Sequence, residues 1–169
     1  VAVGESGLDY FRTADPGREA QKESFRAHIE MAARHDLPLQ IHDREAHEDS
    51  ISLLRECANP DQRIVFHCFS GDAAMASVLA EHGWYASFAG PISYPANDDL
   101  RQAFAVLPRE LVLVETDAPY LTPLPWRGCP NASYVMAHTV RFIAELWGVS
   151  EERACAKLRE NTERVYGSW

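Results

Sequence analysis

Apolar positions along this chain follow two rhythms that alternate from end to end. Short, nearly unbroken apolar runs, such as Ile64-Val65-Phe66 and Leu111-Val112-Leu113-Val114, read as strands buried on both faces. On that basis strands are expected over 1–4, 37–42, 63–67, 84–89 and 111–117. Between them the apolar residues recur at helical spacing with charges on the other side. Helices are expected over 17–35, 48–57, 72–81, from Asn97 onward, 133–147 and 150–165. The first would bury Ala20, Phe25, Ile29, Ala32 and Ala33; the second Ile51 and Leu54. The one capped by Asn97 would bury Leu100, Phe104 and Leu107, and the next Val135, Phe142, Ile143 and Leu146. Pro16 marks a helix start, Gly83 and Gly148 mark helix ends, and Ser150 marks a cap. Strict alternation of buried strands with helices implies one α/β domain over 1–169, with a parallel sheet and right-handed crossovers. An open doubly wound sheet and an α/β barrel both satisfy the pattern.

The strand exits carry the chemistry. Glu5, His42, His67 and Asp117 each follow an expected strand, and in parallel α/β folds the carboxyl ends of the strands share one side. Two imidazoles and two carboxylates converging there form a donor set for a divalent metal such as Zn²⁺ or Mn²⁺. Singly, each has a commoner role: a hydrogen-bonded histidine, a turn-forming glutamate, a capping aspartate. Cys68, next to His67, reads as a buried structural thiol rather than a nucleophile. His28, His35, His47, His82 and His138 fall on expected helices or their edges and read as surface or satisfied side chains.

Composition narrows the partners. The 169 residues are 46% hydrophobic and 24% charged, with a formal net charge of -9. A chain this acidic does not bind nucleic acid through its overall field, so any phosphate binding must be local. Cys57, Cys68, Cys129 and Cys155 form no CxxC pair and suggest reduced thiols and a cytoplasmic location. No stretch reaches the length of a membrane span. The chain opens inside an apolar run without an initiator Met, so a longer natural N-terminal part is expected.

Four motifs resemble, in order and spacing, the signatures of the TatD family of metal-dependent deoxyribonucleases. They are Gly4-Glu5-Ser6-Gly7-Leu8-Asp9-Tyr10, Leu39-Gln40-Ile41-His42-Asp43-Arg44, His67-Cys68-Phe69-Ser70-Gly71 and Glu115-Thr116-Asp117-Ala118-Pro119-Tyr120-Leu121. The likeness runs across the whole chain. It implies a TIM (β/α)8 barrel of the metal-dependent hydrolase type, of which this chain would supply the C-terminal five β–α units. It also implies a site for two divalent cations (Zn, Mg or Mn), with Glu5 bridging, His42 and His67 on one ion and Asp117 on the other. The implied reaction is hydrolysis of phosphodiester bonds in DNA, with Asp117 and Glu5 as catalytic carboxylates. Arg44 and Arg127, beyond strand ends, would clamp phosphate.

The departures also set expectations. The family's first-strand His-x-His motif has no counterpart here, so the N-terminal third and its ligands would lie outside this chain. Ser6 replaces a commoner apolar residue, and the loop over 127–134 follows the family only in part. Two alternatives stand beside the nuclease: a metal-dependent hydrolase of amides, esters or lactones, and an inactive fragment that needs the missing strands.

Overall fold

The computed structural model describes residues 1–168. Five parallel strands form one sheet in chain order: β1 (Val3–Asp9), β2 (Leu39–Arg44), β3 (Ile64–Phe66), β4 (Tyr85–Phe88) and β5 (Val112–Val114). Each strand lies beside its predecessor, so the sheet never reverses direction. A doubly wound sheet does reverse, at the point where its ligands bind. Successive right-handed crossovers in one direction carry their helices to one face, as in a barrel wall. The helices are α1 (Asp15–Arg34), α2 (His47–Cys57), α3 (Ala73–His82), α4 (Asp98–Val106), α5 (Met136–Trp147) and α6 (Glu151–Tyr166). Among the described residues, none is long and apolar enough to cross a membrane.

Alternation along the strands separates two faces. Leu39, Ile41, Ile64, Phe66, Ala86, Phe88 and Val112 join Phe25, Ile29, Leu54, Leu79, Phe104 and Ile143 from the helices in the main core. The opposite parity, Val65, Tyr85 and Leu113, forms a second cluster closed by Val165 and Tyr166 at the end of α6. Tyr166 donates to Gln40 across this face at 2.9 Å, and the Arg63 guanidinium donates to the Val165 carbonyl at 2.9 Å. One more step along each inner row reaches His42, His67 and Glu115. The site therefore stands on the inner face at the carboxyl edge.

Several expected boundaries shift. β1 does not stop at Gly4 but runs through Asp9, with an irregularity between Val3 and Ser6 and Leu8 wholly buried. Gly7 makes this possible: its φ is 137°, and a Cβ there would collide with the His42 carbonyl oxygen, so only glycine lets β1 lie so close to β2. β2 begins after Pro38 and continues to Arg44. Glu5 and His42 thus lie within strands rather than after them. β5 ends at Val114, three residues before Asp117, because Glu115 turns toward β3 and Asp117 takes a left-handed backbone, φ 53°. Asn97 does not cap α4 with its side chain; its amide donates to the Pro91 carbonyl at 3.0 Å. Ala20 and Leu146 are exposed rather than buried. Gly83 and Gly148 do end helices in the left-handed conformation, and Ser150 does cap α6.

Candidate metal centre

Glu5, His42 and His67 meet at the carboxyl edge, each offering one ligand atom within 4.8 Å of the others. Glu5 Oε1 lies 2.8 Å from His42 Nδ1 and 3.3 Å from His67 Nε2. The second nitrogen of each ring also faces a carboxylate. His42 Nε2 is 3.2 Å from Asp9 Oδ2, and His67 Nδ1 is 2.7 Å from Glu115 Oε2. The other oxygens of these two acids are held by backbone: Arg12 N–H donates to Asp9 Oδ1 at 2.9 Å, and Cys68 N–H donates to Glu115 Oε1 at 2.5 Å. Cys68 adopts φ 44°, an uncommon conformation for a residue with a side chain. Neither Asp9 nor Glu115 was expected in the site. Their signal was parity: Glu115 stands two residues before Asp117, and Asp9 closes the strand that carries Glu5.

Asp117 lines the same cleft as His42 and His67 but lies outside the three-residue cluster. Its backbone is pinned by Asn131, a buried residue whose amide donates to the carbonyls of Thr116 (2.7 Å) and Tyr120 (2.6 Å). Burial, with the charges of Glu115 and Glu5, raises the Asp117 pKa above the usual carboxylate value. At His67 burial is the largest influence and acts downward. The Glu115 hydrogen bond and the charges of Glu115, Glu5 and Asp117 outweigh it, and the pKa is raised. Burial pushes the Cys68 thiol up to about 12, so it stays protonated and serves as a packing group.

The cleft encloses about 870 Å³. Arg44 lines it, with its guanidinium 3.8 Å over the Phe11 ring, and Arg12 stands on the same wall. Arg127 is not among the lining residues; it is exposed and stacks 4.2 Å over Tyr94. His47, read from sequence as a surface or satisfied side chain, is satisfied by Asp43 at 2.8 Å and also lines the cleft. Tyr120 (69% exposed), Trp126 (52%) and Tyr134 (82%) belong to the segment that follows β5. Three donors of mixed N and O type, each already oriented, suit a small divalent cation.

Known proteins match the chain along nearly its whole length. The model of the family described as TatD related DNase matches residues 1–167. The chain is 42% identical over 174 residues to the uncharacterized metal-dependent hydrolase TatD of Mycobacterium tuberculosis, covering 99% of this chain and 64% of that protein. It is 36% identical over 172 residues to the 3'-5' RNA nuclease TATDN2 of Homo sapiens, covering 98% of this chain and 22% of that one. The crystal structure of YJJV, a TatD homologue from Escherichia coli K12, superposes with a TM-score of 0.91 at 31% identity, over 100% of this chain and 64% of that one. The chain thus spans less than two thirds of the length of these relatives.

Proposed function

We propose, for a chain that belongs to the TatD-related DNase family, that it carries the metal-holding half of a cleft that hydrolyses phosphodiester bonds in nucleic acid, DNA first. In this reading residues 1–169 form the C-terminal five β–α units of one (β/α)8 domain. The chain-order parallel sheet supports a barrel wall, and the 64% share of the relatives' length is close to five units in eight.

The observation that carries the reading is the meeting of Glu5, His42 and His67 ligand atoms within 4.8 Å, with both histidines lining the cleft. These three residues would hold one divalent cation, Zn, Mn or Mg. The remaining carboxylate oxygen of Glu5, together with Asp117, would serve a second. A divalent cation there supplies Lewis-acid polarisation of phosphoryl oxygens. Asp117, beside the cluster and partly buried, accepts the proton of the attacking water, and Glu5 keeps both imidazoles aimed at one point. Arg44 holds a phosphate oxygen by its guanidinium fork. In a chain with 25 acidic and 16 basic residues, Arg12, Arg44 and Arg127 form no ion pair among the described residues. That leaves them open to an anionic polymer. The exposed rings of Tyr120, Trp126 and Tyr134 are suited to stack on bases. Phe69 is buried and Tyr10 is tied to Asp49 at 2.5 Å, so neither ring is free to stack.

RNA is the second substrate this reading admits, because a human relative bears the name of an RNA nuclease. The test is a side-by-side assay of the full-length enzyme on single-stranded DNA, RNA, an aryl ester and an acylated amine, with added Mn²⁺. DNA cleavage should fall at least about 100-fold in Asp117→Asn, the scale expected for losing a proton-transfer group. Turnover of only the ester or the amine, or undiminished DNA cleavage by the variant, would overturn the proposal.

A further inference from the structure

We infer that Glu115 and Asp9 are positioning residues that assign opposite nitrogens of the two imidazoles to one cation, His42 through Nδ1 and His67 through Nε2. The inference rests on the reading of Glu5, His42 and His67 as ligands. Glu5 Oε1, the atom common to both rings, faces Nδ1 of His42 and Nε2 of His67. The nitrogens on the far sides are taken by Asp9 and Glu115. An imidazole that binds a cation through one nitrogen carries its proton on the other, and a carboxylate there fixes both tautomer and ring plane.

Each carboxylate is itself oriented. Glu115 accepts from the Cys68 N–H with one oxygen and faces His67 with the other, and its own N–H donates to Phe88 O at 3.1 Å. The exit of β3 is thereby locked to that of β5. Asp9 accepts from the Arg12 N–H with one oxygen and faces His42 with the other. Both oxygens of each acid must act as acceptors, and an amide has only one acceptor oxygen. A glutamine at 115 would turn that oxygen to the Cys68 N–H and present its NH2 to His67 Nδ1. That arrangement puts the ring proton on Nε2, the nitrogen that should meet the cation. Asparagine at 9 would do the same to His42.

This chemistry orders the variants in a way that packing alone does not. Glu115→Gln keeps the volume but imposes the wrong tautomer; Glu115→Ala leaves Nδ1 to water and the ring free to choose. Zn²⁺ alone, titrated calorimetrically into the full chain, should bind roughly 10–100-fold more weakly to Glu115→Gln than to wild type. Glu115→Ala should fall between the two. Asp9→Asn and Asp9→Ala should show the same order with a smaller span, because His42 is more exposed than His67. In ¹⁵N–¹H spectra of the Zn²⁺-loaded wild type, His42 should be coordinated through Nδ1 and His67 through Nε2. Affinity of Glu115→Gln within twofold of wild type, an alanine weaker than the amide at both positions, or the same nitrogen used by both rings would overturn the assignment. If His67→Ala still binds Zn²⁺ as wild type does, the ligand reading itself fails and the inference with it. If His67→Ala abolishes binding while the amide variants bind normally, only the positioning role is lost.

Discussion

Asp43 directs almost its whole side chain into the protein, with 5% of it exposed, and sets one oxygen 2.8 Å from His47 Nδ1. That hydrogen bond is the largest cause of a raised His47 pKa; burial opposes it, and the charges of Asp43 and Asp72 add to it. A histidine pKa raised on folding contributes stability that is fully present below the unfolded value, about 6.5. The contribution is lost as pH rises through the folded value. His47→Gln should therefore lower the urea midpoint most near pH 5.5 and much less at pH 9, by under about 1 kcal/mol for so accessible a pair. A gap that widened toward high pH would contradict the assignment. The same scale shows what the sequence discloses. The cluster of Glu5, His42 and His67 was legible because polar residues ending apolar runs are conspicuous, and Asp117, read the same way, lines the cleft outside that cluster. Asp9 and Glu115 were less so: parity puts them on the same face as Glu5 and Asp117, but only the register between strands sets each against an imidazole. His47 read as surface or satisfied, and its partner proves to be Asp43, four residues upstream near the end of β2.

The elements themselves were legible in number and kind, but their ends were not. Runs of buried residues announce a parallel strand's middle, whereas its limits depend on a neighbour's register. β1 illustrates this: Ser6 to Asp9 look like loop, yet they pair with Ile41 to Arg44 once Gly7 brings the backbones together. Gly7→Ala should cost about 1–3 kcal/mol of strain and clash, read as a lower urea midpoint. It should also weaken Zn²⁺ binding, because it separates Glu5 from His42. Gly83→Ala is the control. Its φ is 68° and nothing lies within 4 Å of the added Cβ, so it should lose about 1 kcal/mol and leave Zn²⁺ affinity unchanged. Equal effects of the two on metal affinity would show that the β1–β2 approach does not build the site.

For the whole molecule, alternation left two architectures open, and strand order decides between them. Order is a property of which strand each crossover returns to, and no single segment records it. The sheet in chain order places every exit on one edge, and the inner rows Gln40–His42, Val65–His67 and Leu113–Glu115 carry polar ends there. The acidic surplus and the proposed nucleic-acid substrate are reconciled locally, since Arg12 and Arg44 line the cleft and form no ion pair among the described residues. A second cation, as proposed, would have Glu5 and Asp117, fewer than the three protein ligands a zinc site usually has. The most direct measurement is a calorimetric titration of the 169-residue chain with Zn²⁺. One tight equivalent is expected, lost in Glu5→Ala and in His67→Ala but kept in Arg44→Ala. No saturable binding, or binding that survives both ligand substitutions, would contradict the centre built from Glu5, His42 and His67.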